Sequence, residues 1–265
     1  MTPAAKPGVE LTVDGLSIRF GGLIAVDHLT FEVRTGEVLS LIGPNGAGKT
    51  SAFNAITGYI EAAGGDIRYQ GTRLNGLEPH AIAALGLVRT FQKTSVFQGQ
   101  TVHDNTLIGL HLRSRQTPLA ILLGLPSVAR EEKQLAEEAW EILRFVGLEA
   151  RGRLVASSLP YGELRLLEVA VALAARPKLL LLDEPVSGMN PVETQSFMAL
   201  LARIRARGIT ILLVEHDMKM VMGVSDRIVC LNHGRIIADG PPAAIQKNPD
   251  VIRAYLGERY ARAHG

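Results

Sequence analysis

Residues 38–56 read VLSLIGPNGAGKTSAFNAI. An apolar run of strand length, VLSLIG, passes directly into glycines and then into a helical pattern, so this stretch is strand, loop, helix. Within it, GPNGAGKT at 43–50 satisfies G-x-x-x-x-G-K-[ST]. The glycines let successive backbone N–H groups converge on a phosphate chain, and the following helix adds its positive end. Lys49 supplies a point charge toward the β- and γ-phosphates, and the Thr50 hydroxyl suits a Mg²⁺ ligand. The competing reading is a glycine-rich turn with a surface lysine, which the flanking strand and helix disfavour.

KLLLLDEP from Lys178 and ITILLVEHD from Ile209 are continuous apolar runs ending in acidic or imidazole side chains, as suits strands buried on both faces. Between them VETQSFMALLARIRARG from Val192 reads as an amphipathic helix that stops at Gly208. Strand, helix, strand implies parallel pairing and a three-layer α/β core. LTVDGLSIRF from Leu11 alternates like a strand, and GGDIRYQGTRL from Gly64 reads as a short antiparallel piece beside the core. From about Thr101 to Ala175 no buried strand is evident, while EEKQLAEEAWEILRFVGL from Glu131 has helical periodicity, so a helical subdomain is inserted there.

Ligands in parallel sheets bind at the C-terminal strand ends, which is where Asp183 and Glu184 stand. The first carboxylate can hold a metal with its water shell, and the second can polarise an attacking water. A solvated acidic turn ahead of Pro185 is the alternative.

The chain has 265 residues, 47% of them hydrophobic and 20% charged, enough for a large core and wrong for a disordered segment. Net charge is +2, which is no nucleic-acid footprint. The single cysteine, Cys230, rules out an internal disulfide and a cysteine metal cluster and fits a reducing compartment. The N-terminus lacks a signal-like apolar stretch, and Leu119 to Leu125 is too short for a membrane span, so a cytoplasmic chain is expected. No N-K-x-D motif is present to read a guanine base.

With both nucleotide motifs in place, further segments resemble the ATP-binding subunits of ABC transporters over roughly residues 9–257. These are TFQ at Thr90 to Gln92, YGELRLLE from Tyr161 at the signature position, SGMN from Ser187 and EHD around His216. RFGGLIAV, EPVSGMNP, VEHDMKMVMGVSDRI and VIRAYLGE are similar to the branched-chain or hydrophobic amino-acid importers, and most to their G-type ATPase subunit. The resemblance implies a P-loop NTPase core at about 9–100 and 176–257 with an antiparallel β subdomain, the helical insert at about 101–175, and tails at 1–8 and 258–265. It implies ATP and Mg²⁺ as ligands. Gly43, Pro44, Asn45, Gly46, Ala47, Gly48, Lys49, Thr50 and Ser51 would bind nucleotide, with Phe20 stacking on adenine, although core packing is an alternative for Phe20. Thr50, Gln92 and Asp183 would serve the metal. Tyr161, Gly162, Glu163 and Asn190 would meet nucleotide held by a second ATPase subunit, a copy or a sister. Glu184 and His216 would act in hydrolysis, a structural histidine being the other reading of His216.

The same resemblance implies integral membrane permease subunits as partners, an indirect solute-binding protein, no nucleic acid, and a peripheral place on the cytoplasmic face of the plasma membrane. The signature departs from LSGGQ: Leu159, Pro160, Tyr161, Gly162 and Glu163 lack the serine hydroxyl and place a carboxylate near the triphosphate. Rival readings are a non-transport ABC ATPase, or a catalytically impaired half of a heterodimeric pair. The apolar stretch TPLAILLGLPSV from Thr117 either packs within the insert or meets a membrane subunit. Trp140 is expected in the insert's core and Cys230 in the main one.

Overall fold

The computed structural model describes residues 8–90, 96–111 and 126–255. Gln92 and most of the Thr117 stretch lie outside the described residues. The chain divides into two compact units, Met1–Arg89 with Lys178–Glu184 and Met198–Gly265, and Thr90–Pro177 with Pro185–Phe197.

In the first unit, a six-stranded sheet has the order β10-β9-β3-β8-β7-β6. Its strands are β3 (Val38–Ile42), β6 (Leu87–Arg89), β7 (Leu179–Asp183), β8 (Thr210–Val214), β9 (Arg227–Asn232) and β10 (Arg235–Gly240). All pairs are parallel except the β9–β10 hairpin. Strands β3, β7 and β8 are buried along their full length, as their unbroken apolar sequences require.

A second, antiparallel sheet has the order β2-β1-β4-β5. It contains β1 (Val9–Phe20), β2 (Leu23–Arg34), β4 (Gly64–Tyr69) and β5 (Thr72–Arg73). The GGDIRYQGTRL piece is therefore part of a larger sheet than its sequence suggests, because β4 pairs with β1. Strand β2 goes unread in the sequence, since a register shift breaks its alternation between Val26 and Leu29, where His28 takes a positive φ of 53°.

Side-chain alternation builds the layers. Leu39, Leu41, Val229 and Leu231 join one apolar cluster with β1, β2, β4 and helix α1 (Lys49–Ile56), whereas Ile42, Ile228 and Cys230 point into another. That second cluster is closed by Val221 of α7 (Met218–Val224) and Ile245 of α8 (Pro242–Lys247). The predicted three layers follow from the period of two along each strand.

The second unit packs α3 (Val102–His111), α4 (Pro126–Val146) and α5 (Tyr161–Ala174) against one another. Gly109 lets α3 approach α5, because a Cβ there would stand 2.7 Å from the Val171 carbonyl oxygen. Trp140 is half-buried, its ring 4.7 Å from that of His103 and covering Gly152. The remaining helices are α2 (Pro79–Ala84) and α6 (Pro191–Ala206), the latter ending just before Gly208, whose φ is +81°. No helix among the described residues is long and apolar enough to cross a membrane.

Cys230 is fully buried, and loss of solvation pushes its thiol up to about 12. The unfolded chain releases this proton first, so the group removes stability as pH climbs above ~8.5. Aromatic disulfide reagents at pH 8 are expected to leave native Cys230 unmodified and to label it at the rate of unfolding. Rapid labelling of folded protein would contradict this burial.

Candidate nucleotide site

The phosphate loop leaves the C-terminal end of β3 and is clamped by backbone on two sides. A Cβ at Gly43 would lie 2.2 Å from the Leu231 carbonyl oxygen, and one at Gly48 would lie 2.6 Å from that of Ala25. Both residues also have positive φ, 148° and 100°. The turn after β9 holds the loop from the side: Gly234 N–H donates to the Ala47 carbonyl at 3.0 Å, and Asp27 N–H donates to the Gly234 carbonyl at 2.9 Å. Gly43, Pro44 and Ala47 are buried, whereas Asn45, Gly46 and Thr50 are exposed and Ser51 is half-buried.

Helix α1 starts at Lys49 with no side-chain cap and no acidic residue in its first turn, so its positive end is open to an anion. Lys49 itself is buried, and its Nζ donates to the carbonyls of Gly43 at 2.6 Å and Pro44 at 3.0 Å. The ammonium is thereby parked inside the loop's curve. Phe20 closes β1 opposite Leu23 and is exposed, so core packing does not account for it.

Strand order brings the carboxylates to this loop. Leu41 of β3 faces Val214 of β8, and Val214 faces Asp183 of β7. Asp183 is 1% exposed; its Oδ2 accepts from Arg89 Nη2 at 2.7 Å, while Oδ1 is buried with no hydrogen-bond partner. Burial pushes the Asp183 carboxyl above its ordinary range, and Arg89 pulls it back. Glu184 takes a left-handed φ of 49° and donates its N–H to the Val214 carbonyl at 2.8 Å. Such a conformation is uncommon outside glycine and is often found at functional sites.

His216 follows β8 and is exposed, with Nδ1 3.2 Å from Glu215 Oε1 and 3.9 Å from Glu184 Oε1. Buried Glu215 also accepts from the backbone N–H groups of His216 and Asp217, fixing the turn that presents the imidazole. Asp217 then caps α7 by accepting from Met220 N–H at 3.0 Å.

The signature residues cluster within the second unit. Helix α5 begins after Pro160, where a missing N–H costs no helical hydrogen bond. Gly162 packs against Glu193, and Gly188 lies under the Tyr161 ring, each so closely that a Cβ would stand within 2.9 Å. Arg165 holds the Tyr161 hydroxyl from Nε at 3.0 Å and is itself paired with buried Glu168 at 2.9 Å. Glu163 lies 3.1 Å from Arg151 Nε, so the added carboxylate of the altered signature has a counter-charge, while its Oε2 keeps no hydrogen-bond partner. Asn190 sits on the exposed surface and caps α6: its Oδ1 accepts from the N–H groups of Val192 at 2.9 Å and Glu193 at 3.0 Å. Glu193 reciprocates by accepting from Asn190 N–H at 2.8 Å.

Three structural features around the candidate site residues escaped the sequence reading: Arg89, the Glu215 turn anchor and the Asn190–Glu193 capping box. Only the last had a local signal, N-P-x-E at a helix start.

Gly43→Ala is expected to abolish nucleotide binding, since the new methyl meets backbone that cannot yield; equilibrium binding of a fluorescent ATP analogue reads this. Asn190→Ala is expected to cost about 1 kcal/mol of stability, measured by urea unfolding, with Asn190→Asp close to wild type.

A family model described as "ABC transporter" matches residues 26–187, and one described as "Branched-chain amino acid ATP-binding cassette transporter" matches 235–261. The chain is 46% identical over 249 residues to the Pseudomonas aeruginosa high-affinity branched-chain amino acid transport ATP-binding protein BraF, covering 94% of this chain and 98% of that protein. Identity to the Escherichia coli protein LivG, described in the same terms, is 45% over the same shares. A solved ATP-binding cassette of an ABC transporter in its ADP conformation superposes with a TM-score of 0.82 at 31% identity, over 94% of this chain and 99% of that one. The chain thus belongs to the ATP-binding subunits of ABC transporters, as the order of its motifs implies.

Proposed function

We propose that this chain binds and hydrolyses ATP to drive import of branched-chain or other hydrophobic amino acids through separate membrane subunits, working from the cytoplasmic face of the membrane. Family membership carries the ATPase, and the observation that carries the cargo is the 46% identity to the branched-chain amino acid relative along almost its whole length.

The phosphate loop and the open end of α1 receive the triphosphate, with Phe20 available to the adenine face. Lys49 exchanges its loop carbonyls for β- and γ-phosphate oxygens. The residues also fit a magnesium ion: Asp183 offers a buried oxygen without a partner, and Thr50 an exposed hydroxyl in the first turn of α1. When bound, that ion neutralises charge on the β- and γ-phosphate oxygens. Glu184 orients and polarises the attacking water, and His216 donates to the γ-phosphate. Gln92 would sense the same phosphate.

The Gly162 end of α5 would complete the site on a second ATPase subunit. Driving such a pair from 1:99 to 99:1 closed takes about 5.5 kcal/mol of preference for the closed form, which favours contacts from two faces. The ion pair of Glu163 with Arg151 supports a working clamp.

Glu184→Gln is expected to keep ATP affinity while turnover falls on the order of 10²–10⁴-fold, measured by phosphate release. Wild-type turnover removes Glu184 from this role. For the cargo, titrating leucine and other amino acids into the solute-binding protein that co-purifies with the assembled transporter decides; preference for an unrelated solute class rejects the amino-acid reading.

A further inference from the structure

We propose that Arg89 is a positioning residue that ties the Asp183 carboxylate to the helix following the phosphate loop, aiming its second oxygen at the metal. The inference rests on the magnesium reading of Asp183 given above and deepens it.

Arg89 ends β6 and stands opposite Leu181 of β7, so its side chain emerges beside the carboxyl end of that strand. The side chain is 7% exposed. One arm of the guanidinium reaches Asp183, with Nη2 2.7 Å from Oδ2. The other grips the end of α1, with Nη1 2.6 Å from Asn54 Oδ1 and 3.2 Å from Oγ1 of Thr57, the residue that caps it. Its central carbon lies 5.6 Å from the Phe53 ring centroid, a cation–π contact.

A guanidinium is a rigid planar fork, so anchoring one arm fixes where the other can donate. Asp183 is therefore held by one oxygen, in an orientation set by the helix that begins at Lys49 and Thr50. Its other oxygen is buried and unpartnered. Glu168, paired with Arg165, also keeps a buried oxygen without a partner, so what distinguishes Asp183 is the place of its orphaned oxygen, at the carboxyl end of a central parallel strand beside the phosphate loop. The half-satisfied carboxylate makes sense as one half of a cation site whose orientation is set in advance. Lysine cannot grip both sides at once, since it is a point charge on a flexible stem.

The test compares full-length wild type with Arg89→Met, Arg89→Lys, Asn54→Ala and Asp183→Asn. A fluorescent ATP analogue is titrated in EDTA, then Mg²⁺ is titrated at fixed nucleotide, and melting temperature is recorded. In Arg89→Met the Mg²⁺ midpoint is expected to rise about tenfold or more, as for other residues that orient a metal ligand, with nucleotide affinity in EDTA at the wild-type value. Arg89→Lys should fall between, and Asn54→Ala should shift the same way by less. If Arg89→Met fails to fold, the other two variants carry the decision. An unchanged Mg²⁺ midpoint in the Arg89 and Asn54 variants overturns the inference, as does an equal loss of affinity in EDTA, which would mark a general structural role. Asp183→Asn separates the two readings. If it loses the Mg²⁺ response while the Arg89 variants keep theirs, only the positioning role falls. If it responds to Mg²⁺ like wild type, the metal reading falls too.

Discussion

Backbone pressed against backbone at Gly43 and Gly48 is the constraint on which the nucleotide site depends. At neither position is there room for a side chain, because the Leu231 and Ala25 carbonyls occupy the space. The loop's curve is consequently set by strands β2 and β9 and by the turn at Gly234 in advance of any ligand. A site built this way spends little conformational entropy at the moment of binding. It also offsets part of the cost of burying Lys49, since the curled loop turns two carbonyls toward its ammonium.

The second consequence of the fold is electrostatic. Parallel pairing in the order β3, β8, β7 sets the phosphate loop, His216 and the two carboxylates at neighbouring strand ends. Two of the carboxylates there, Asp183 and Glu215, are buried, and each has a specific answer. Asp183 is met by Arg89, and Glu215 accepts from two backbone N–H groups. Glu184 holds an unfavourable φ secured by its bond to Val214. The left-handed Glu184 and the half-paired Asp183 stand side by side at the carboxyl end of an otherwise apolar strand, as expected where charge must be managed for chemistry.

The altered signature illustrates how local departures are absorbed. Pro160 precedes the first turn of α5, where the absence of its N–H is harmless; Tyr161 is fixed by Arg165 and lies over Gly188; Glu163 meets Arg151. These partners sit 4 to 27 residues away along the chain, so the segment reads as defective in sequence and balanced in space.

The phosphate loop, the buried parallel strands, the helical insert and the acidic strand end were all legible in the amino-acid sequence, because each rests on short-range periodicity or on a motif whose residues act together along the chain. Strand β2 was not, since the bulge at His28 interrupts the period on which such a reading relies. Arg89 could not be singled out either: it looks like an ordinary basic residue after GLV, and its partners come from positions 54, 57 and 183. Local chemistry determined which residues are candidates to bind phosphate and activate water. Only tertiary structure decided which of them are neutralised, which stay half-satisfied and which direction each one faces, because these depend on desolvation and on contacts between segments far apart in the chain.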